Sequence, residues 1–206
     1  MAQAEMTKKE TIETGRQVVL AVFQNEAAAQ SALDSLITRD FPLDRMSVLG
    51  RASASGDDPL GIYYPTAGER IRGWGKMGAF WGGLFGLLGG AAGMFMLPGV
   101  GLMVALGPLA EALVTTAAGA GIGGGVMMGG AALSHIAQAI HRMGVPEDRI
   151  EALQDHLREG HYLVMLIVGE GEAEPSVGVL ERAGADQVET HPYVGLTDAI
   201  SEKRAK

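Results

Sequence analysis

The sequence predicts a mixed α+β or α/β fold, in which a small ferredoxin-like four-stranded module is interrupted by a glycine-rich, transmembrane-type helical hairpin. Strand and helix patterns occur on both sides of a long uncharged stretch in this 206-residue chain. Residues 77–110 contain no charged side chain, and after Glu111 the chain is again uncharged over residues 112–141. A bilayer-spanning helix needs about 20 apolar residues. The stretch therefore has room for two passes.

The first half of the module, residues 16–52, reads as strand, helix and strand after a polar tail over residues 1–15. The apolar run VVLAVF at residues 18–23 predicts the first strand, and Asn25 is the expected N-cap of a helix over residues 26–38. A second strand is expected over residues 46–49. A polar linker over residues 53–72 follows.

The second half, residues 144–192, precedes a polar C-terminal tail over residues 193–206. We expect a helix that opens at Pro146 and ends at Gly160. The run YLVMLIV that follows is typical of a strand covered on both faces. A third helix over residues 175–183 and a last strand over residues 187–190 complete the pattern. Each half alone is near or below the size at which chains fold independently, so one shared sheet is favoured over two miniature domains.

The predicted hairpin, residues 73–143, turns at Pro98 and Gly99. In a helix its glycines share one face, although interior glycine costs about 1 kcal/mol relative to alanine. Small residues spaced in this way let helices pack closely in lipid. The predicted helix-packing positions are Gly78, Gly82, Gly86, Gly90 and Gly93 in the first arm and Gly121, Gly125 and Gly129 in the second. This pattern favours a homo-oligomer.

Basic and aromatic residues at the ends of the hairpin predict its orientation. The membrane-flanking residues are Arg70, Arg72, Trp74, Lys76, Trp81 and Arg142. Since two passes return the chain to its starting side, we expect both termini in the cytoplasm and the hairpin in a bacterial inner membrane. Membrane lipid and further copies of the chain are the expected partners.

Glu111 is the candidate intramembrane polar site, because an ionisable group inside a span suggests a functional role by default. Its position predicts either an ion-binding or relay role or a solvated position at the far loop of the hairpin. His135 and His141 would lie on different faces of a helix. His156 and His161 straddle a helix end and are expected to be surface residues. We therefore predict no metal site.

Composition excludes several functions. The chain has 16 Lys and Arg against 24 Asp and Glu, a net charge of −8, and no Cys. Because phosphate binding needs clustered cations, nucleic acid is not an expected partner. The sequence contains neither a catalytic motif nor a ligand cluster with standard spacing, so we predict no enzymatic activity and no cofactor. A small-molecule ligand stays unknown.

The charged segment GERIRGWGK at residues 68–76, with the glycine-rich run after it and the later MGVPEDRI and YLVMLIV, resembles a bacterial family of small membrane-associated proteins. These are general stress or low-temperature-induced proteins with a domain of unknown function. The resemblance implies a cytoplasmic α/β module interrupted by a membrane hairpin, and a link to stress. It implies no catalytic residues.

The leading hypothesis is a non-enzymatic, membrane-associated homo-oligomer with a structural or membrane-stabilising role. One alternative is a channel or small-solute carrier that uses Glu111. Another is a soluble ring or shell that buries the apolar hairpins between subunits or around lipid.

Overall fold

The computed structural model describes residues 15–51, 92–97, 100–119, 127–128 and 130–194. Their fold is α+β. The strands are β1 (Gln17–Phe23), β2 (Met46–Arg51), β3 (Ala92–Leu97), β4 (Gly101–Leu106), β5 (Met127–Met128), β6 (Tyr162–Val168) and β7 (Gln187–Pro192). The α-helices are α1 (Glu26–Ile37), α2 (Pro108–Gly119), α3 (Gly130–Arg142), α4 (Glu147–Arg158) and α5 (Ala173–Arg182).

All these strands belong to one sheet with the order β5-β3-β4-β2-β6-β1-β7. The pairings are antiparallel except for the short parallel contact between β3 and β5. Strand β6 pairs with β1 on one side and with β2 on the other. The strands before and after the uncharged stretch therefore share a sheet, and the expectation of a shared sheet is confirmed.

The elements flanking the uncharged stretch follow their sequence signals. Asn25 is the N-cap of α1, since its side-chain oxygen accepts a hydrogen bond of 2.9 Å from the Ala28 N–H. Helix α4 starts after Pro146 and is followed by Gly160 at a φ of +83°. Every residue of β6 is buried, as expected for a strand covered on both faces.

Alternate residues of the central strands enter two separate cores. On one face, Val19, Ala21 and Phe23 of β1 pack with α1 and α5. On the other, Val18, Leu20 and Val22 pack with α2, α3 and α4. Since strand side chains alternate between faces, the sheet is the middle layer between two helical layers. The second core contains many residues from the uncharged stretch.

The predicted helical hairpin over residues 73–143 is wrong where the structure describes it. Residues on either side of Pro98 and Gly99 form strands, with Leu97 paired to Gly101. The helices that follow, α2 and α3, have 12 and 13 residues. Across the described ranges, no helix has the length and apolar character needed to cross a membrane. The prediction of transmembrane helices packed by a glycine zipper is therefore wrong for the described residues.

The prediction of membrane helices is wrong because a protein core covered on both faces excludes charged side chains as strictly as lipid does. Strand β4 pairs with β2 and β3, and Met103 and Ala105 face the core with α2 and α3 while Val104 and Leu106 face the other core. Gly93 lies in β3 opposite Ala105, so it belongs to no helical glycine face.

Several predicted positions lie outside the described residues. They are Gly78, Gly82, Gly86, Gly90, Gly121, Gly125 and Gly129 among the packing glycines, and Arg70, Arg72, Trp74, Lys76 and Trp81 among the flanking residues. Arg142 is described and forms the last residue of α3, where it is half-buried. A basic residue there complements the negative end of the helix dipole.

A tight turn within the uncharged stretch packs against the start of β2. Gly107, between β4 and α2, has a φ of +77°, and a Cβ at this position would overlap the Met46 carbonyl oxygen at the start of β2. Beside it, the buried Ser47 hydroxyl accepts a 3.0 Å hydrogen bond from the Leu109 N–H in the first turn of α2. Because the first N–H groups of a helix lack partners within it, Ser47 caps α2 from another strand.

We expect Gly107→Ala to lower the free energy of unfolding by about 3 kcal/mol or more, since left-handed backbone strain adds to overlap with a backbone atom. Gly171→Ala is the matched control, because Gly171 has a φ of +81° with nothing within 4 Å of its Cβ position. The control should lose only about 1–2 kcal/mol. Urea denaturation measures both, and equal losses would contradict the close approach at Gly107.

Candidate functional site

Glu111 lies in the first turn of α2 and is exposed. Its N–H donates to the Gly107 carbonyl at 3.3 Å. A carboxylate in this position complements the positive end of the helix dipole. Glu111 is therefore a solvent-facing residue at a helix start, and the far loop in which it was predicted is not formed there.

The most highly connected charged group among the described residues is Glu189 on β7. Its side chain is 16% exposed and accepts hydrogen bonds from Gln187, from Arg149 Nε at 3.1 Å and from His191 Nε2 at 2.9 Å. Arg149 also pairs with the second carboxylate oxygen through its terminal nitrogen. Since Arg149 belongs to α4, this network fastens α4 to an edge of the sheet.

The network decides the charge of Glu189. Burial acts to raise the pKa of this carboxyl, but the hydrogen bonds from Arg149, His191 and Gln187 and the charge of Arg149 outweigh it, so the pKa is lowered. A carboxylate that accepts several hydrogen bonds is stabilised in its charged form. The network is therefore a structural clamp with a fixed negative charge.

We expect this clamp to give a pH-dependent part of stability. A pKa lowered by folding contributes stability above the unfolded-state value of about 4.3, and this contribution disappears as the pH falls through the folded-state value. Glu189→Gln should therefore be less stable than wild type at about pH 7, and the difference should narrow towards about pH 3. Urea denaturation across this range measures it.

Glu151→Gln is the control for this prediction, because Glu151 is an exposed carboxylate on α4. Its stability difference from wild type should be small at every pH. A difference for Glu189→Gln that stayed constant down to acid pH would contradict an ionised Glu189 as the source.

A second carboxylate, that of Glu26 at the start of α1, lies near the start of β6. The Tyr162 hydroxyl is 2.8 Å from the Arg51 carbonyl oxygen and 3.2 Å from Glu26 Oε2. Burial raises the pKa of Glu26, and the hydrogen bond to Tyr162 opposes this increase. Gly50 makes room for the arrangement, because a Cβ there would overlap the Tyr162 ring. These contacts join α1, β2 and β6 and have a structural role.

The histidines fall into separate environments. His135 Nδ1 is buried on α3 and finds no hydrogen-bond partner within the described ranges. His141 Nδ1 lies 3.0 Å from the Val145 carbonyl oxygen, and its Nε2 is 3.8 Å from Glu147 Oε1. The two therefore have different neighbours, as the sequence predicts.

His156 and His161, by contrast, are brought together. Their Nδ1 atoms lie 3.0 Å apart, and Glu159 Oε2 is 3.8 Å from His161 Nδ1. One potential ligand atom from each of these residues lies within 4.8 Å of the others. Sequence reasoning placed both histidines at a helix end and missed their convergence. The signal available in the sequence was Gly160, which lets the chain reverse between them.

A shallow groove of about 420 Å³ lies between the end of α1 and α5. Apolar and charged side chains line it together, among them Leu36, Arg39, Phe41, Glu172, Val179 and Arg182. Glu172 is also paired with Arg45 at 3.3 Å. No histidine is among the described residues that line this groove.

These features define a three-layer α+β protein held by structural clamps, with a histidine cluster at one helix end. No family model, curated protein or solved structure matches the chain.

Proposed function

We propose that this protein is a non-enzymatic, self-assembling protein of the bacterial stress-protein type, in which apolar surface from the glycine-rich stretch is buried between subunits of a ring or shell. One observation carries the proposal. The described part of the uncharged stretch packs into the core of the α+β fold through β4, α2 and α3. Its apolar side chains thus serve contacts within protein, and we extend this role to contacts between copies.

Helix α2 supplies the surface for this assembly. Its inner side packs in the core through Leu109, Ala110, Ala112 and Leu113. Its outer side carries Val114, which is 52% exposed between Glu111 and Thr115. Val114 and Val194 are the large hydrophobic residues exposed in the described part of the chain. The sequence after Val114 stays uncharged to residue 141, and we infer that Val114 belongs to an apolar contact with a second copy.

We also propose that the strands and helices flanking the uncharged stretch form a ferredoxin-like module. Its flanking halves contribute the order β2-β6-β1-β7, with antiparallel neighbours throughout. Helices α1 and α5, which connect these strands, pack in the same core. A module of this kind has one open sheet face, and α2 and α3 pack on that face here.

Lipid is the competing occupant of the apolar surface, and mass measurement separates the two. We expect the full chain, purified without detergent, to give a discrete multimer by light scattering and native mass spectrometry. A monomer in detergent-free buffer would overturn the proposal. A chain that sediments with phosphatidylglycerol vesicles but forms no multimer would identify lipid as the occupant of the apolar surface. That result would also count against assembly.

Val114→Lys tests the surface directly. A charge placed at an apolar contact between subunits is costly to bury, so we expect the multimer to dissociate or shrink while the circular dichroism of the subunit is unchanged. Val194→Lys is the matched control, since Val194 is 43% exposed but lies outside the uncharged stretch. It should leave the mass unaltered. A Val114→Lys protein with wild-type mass would remove α2 from the interface.

A further inference from the structure

We propose that His156, Glu159 and His161 form a binding site for a divalent transition-metal ion such as Zn²⁺ at the C-terminal end of α4. This site is independent of the proposed assembly. Imidazole and carboxylate groups are standard ligands of zinc, and two histidines with one carboxylate are sufficient for a site that keeps an open position. Each of the three residues offers one ligand atom, and these atoms lie within 4.8 Å of one another.

The end of α4 explains why histidines five residues apart converge. The His161 N–H donates to the His156 carbonyl at 2.9 Å, and the Gly160 N–H donates to the Leu157 carbonyl at 3.1 Å. With Gly160 in the left-handed region, these are the two hydrogen bonds of a Schellman motif. The motif commonly brings together the side chains that occupy the positions of His156 and His161. Backbone hydrogen bonds therefore hold the two imidazoles together.

The distance between the imidazoles fits a metal ion. Histidine nitrogen binds zinc at about 2.0–2.1 Å, so two such nitrogens at a metal angle of about 90–110° lie about 2.9–3.4 Å apart. The two Nδ1 atoms are already 3.0 Å apart. Without metal, one ring donates its Nδ1–H to the other. A bound cation would take the place of that proton, which moves to Nε2 of the same ring, so that both Nδ1 lone pairs become available to the metal.

Glu159 supplies the third ligand after a rotation of its side chain. Its Oε2 atom is 3.8 Å from His161 Nδ1, somewhat longer than the separation of two ligands on one zinc ion. The side chain is 64% exposed, so it is free to rotate towards the two imidazoles. His161 is 20% exposed. The site thus has a partly buried imidazole and a solvent-facing carboxylate.

The electrostatic surroundings favour a cation. The C-terminal end of a helix carries a partial negative charge of about half an elementary charge, and the carboxylate of Glu159 adds to it. The neighbouring Arg158 is paired with Asp155 on the same helix. Arg51 also approaches the turn, with its Cδ atom 3.9 Å from the Cβ position of Gly160. Its positive charge limits the affinity without occupying the ligand atoms.

The test uses the untagged full chain after dialysis against a chelator. Isothermal titration with ZnCl₂ and the visible absorption of bound Co²⁺ should show a single ion per chain. We expect His156→Ala and His161→Ala to lower the affinity at least about tenfold, since even losses behind the first ligand shell cost 10–100-fold. Glu159→Gln should weaken binding less and alter the Co²⁺ spectrum.

His141→Ala is the matched control. His141 Nε2 lies 3.8 Å from Glu147 Oε1, the same separation as in the His161–Glu159 pair, but its other ring nitrogen contacts the Val145 carbonyl oxygen. The control should keep wild-type affinity and stoichiometry. Binding that survives in both His156→Ala and His161→Ala, or that is lost equally in His141→Ala, would overturn the site. So would the absence of zinc binding to the wild-type chain.

Stoichiometry and spectrum are better readouts here than thermal stability. Because the ligands are within six residues of each other in sequence, the unfolded chain keeps part of the affinity, and metal then stabilises the fold less. The metal-free variants should melt at nearly the wild-type temperature, since Glu159 is exposed and the backbone motif does not need the imidazoles. A large loss of stability in Glu159→Gln without metal would indicate a structural role instead.

Discussion

Burial of the central strand on both faces is the constraint on which the rest of the structure depends. All seven residues of β6 are buried, and the strand has hydrogen-bonded neighbours on both sides. Because alternate side chains point to opposite faces, one helical layer can cover only half of them. Helices α1 and α5 cover one face. The second face needs helices from elsewhere in the chain, and α2, α3 and α4 supply them.

This constraint explains why the strands and helices of the module could be predicted from the sequence, whereas those of the uncharged stretch could not. The Asn25 cap, the helix begun after Pro146 and the two-sided pattern of β6 are local signals with local causes. Lack of charge, by contrast, is shared by lipid-facing helices and by elements buried on all sides. The short apolar runs of β3 and β4 therefore suited two sides of a helical hairpin that turns at Pro98 and Gly99. The Pro98–Gly99 step suited a break between helices as well as one between strands.

The contacts that join the stretch to the sheet also had no signature in sequence. Gly107 is one of 31 glycines in the chain, and its close approach to the Met46 carbonyl becomes apparent only in the fold. Ser47 lies in a strand, yet it caps a helix that begins 61 residues later at Pro108. Glu189 is similar, since its partner Arg149 lies 40 residues away. Such pairs follow from the sheet order, which sequence patterns do not encode.

The histidine cluster differs because its cause is local but lies outside helical periodicity. On a continuous helix, positions five apart are separated by about 140°, which would keep His156 and His161 apart. Gly160 ends the helix, and the chain folds back so that the two rings meet. The same turn leads directly into β6, so the residues that gather the histidines also position the start of the most buried strand. Assembly through α2 would use a different helix, and either proposal can therefore fail while the other stands.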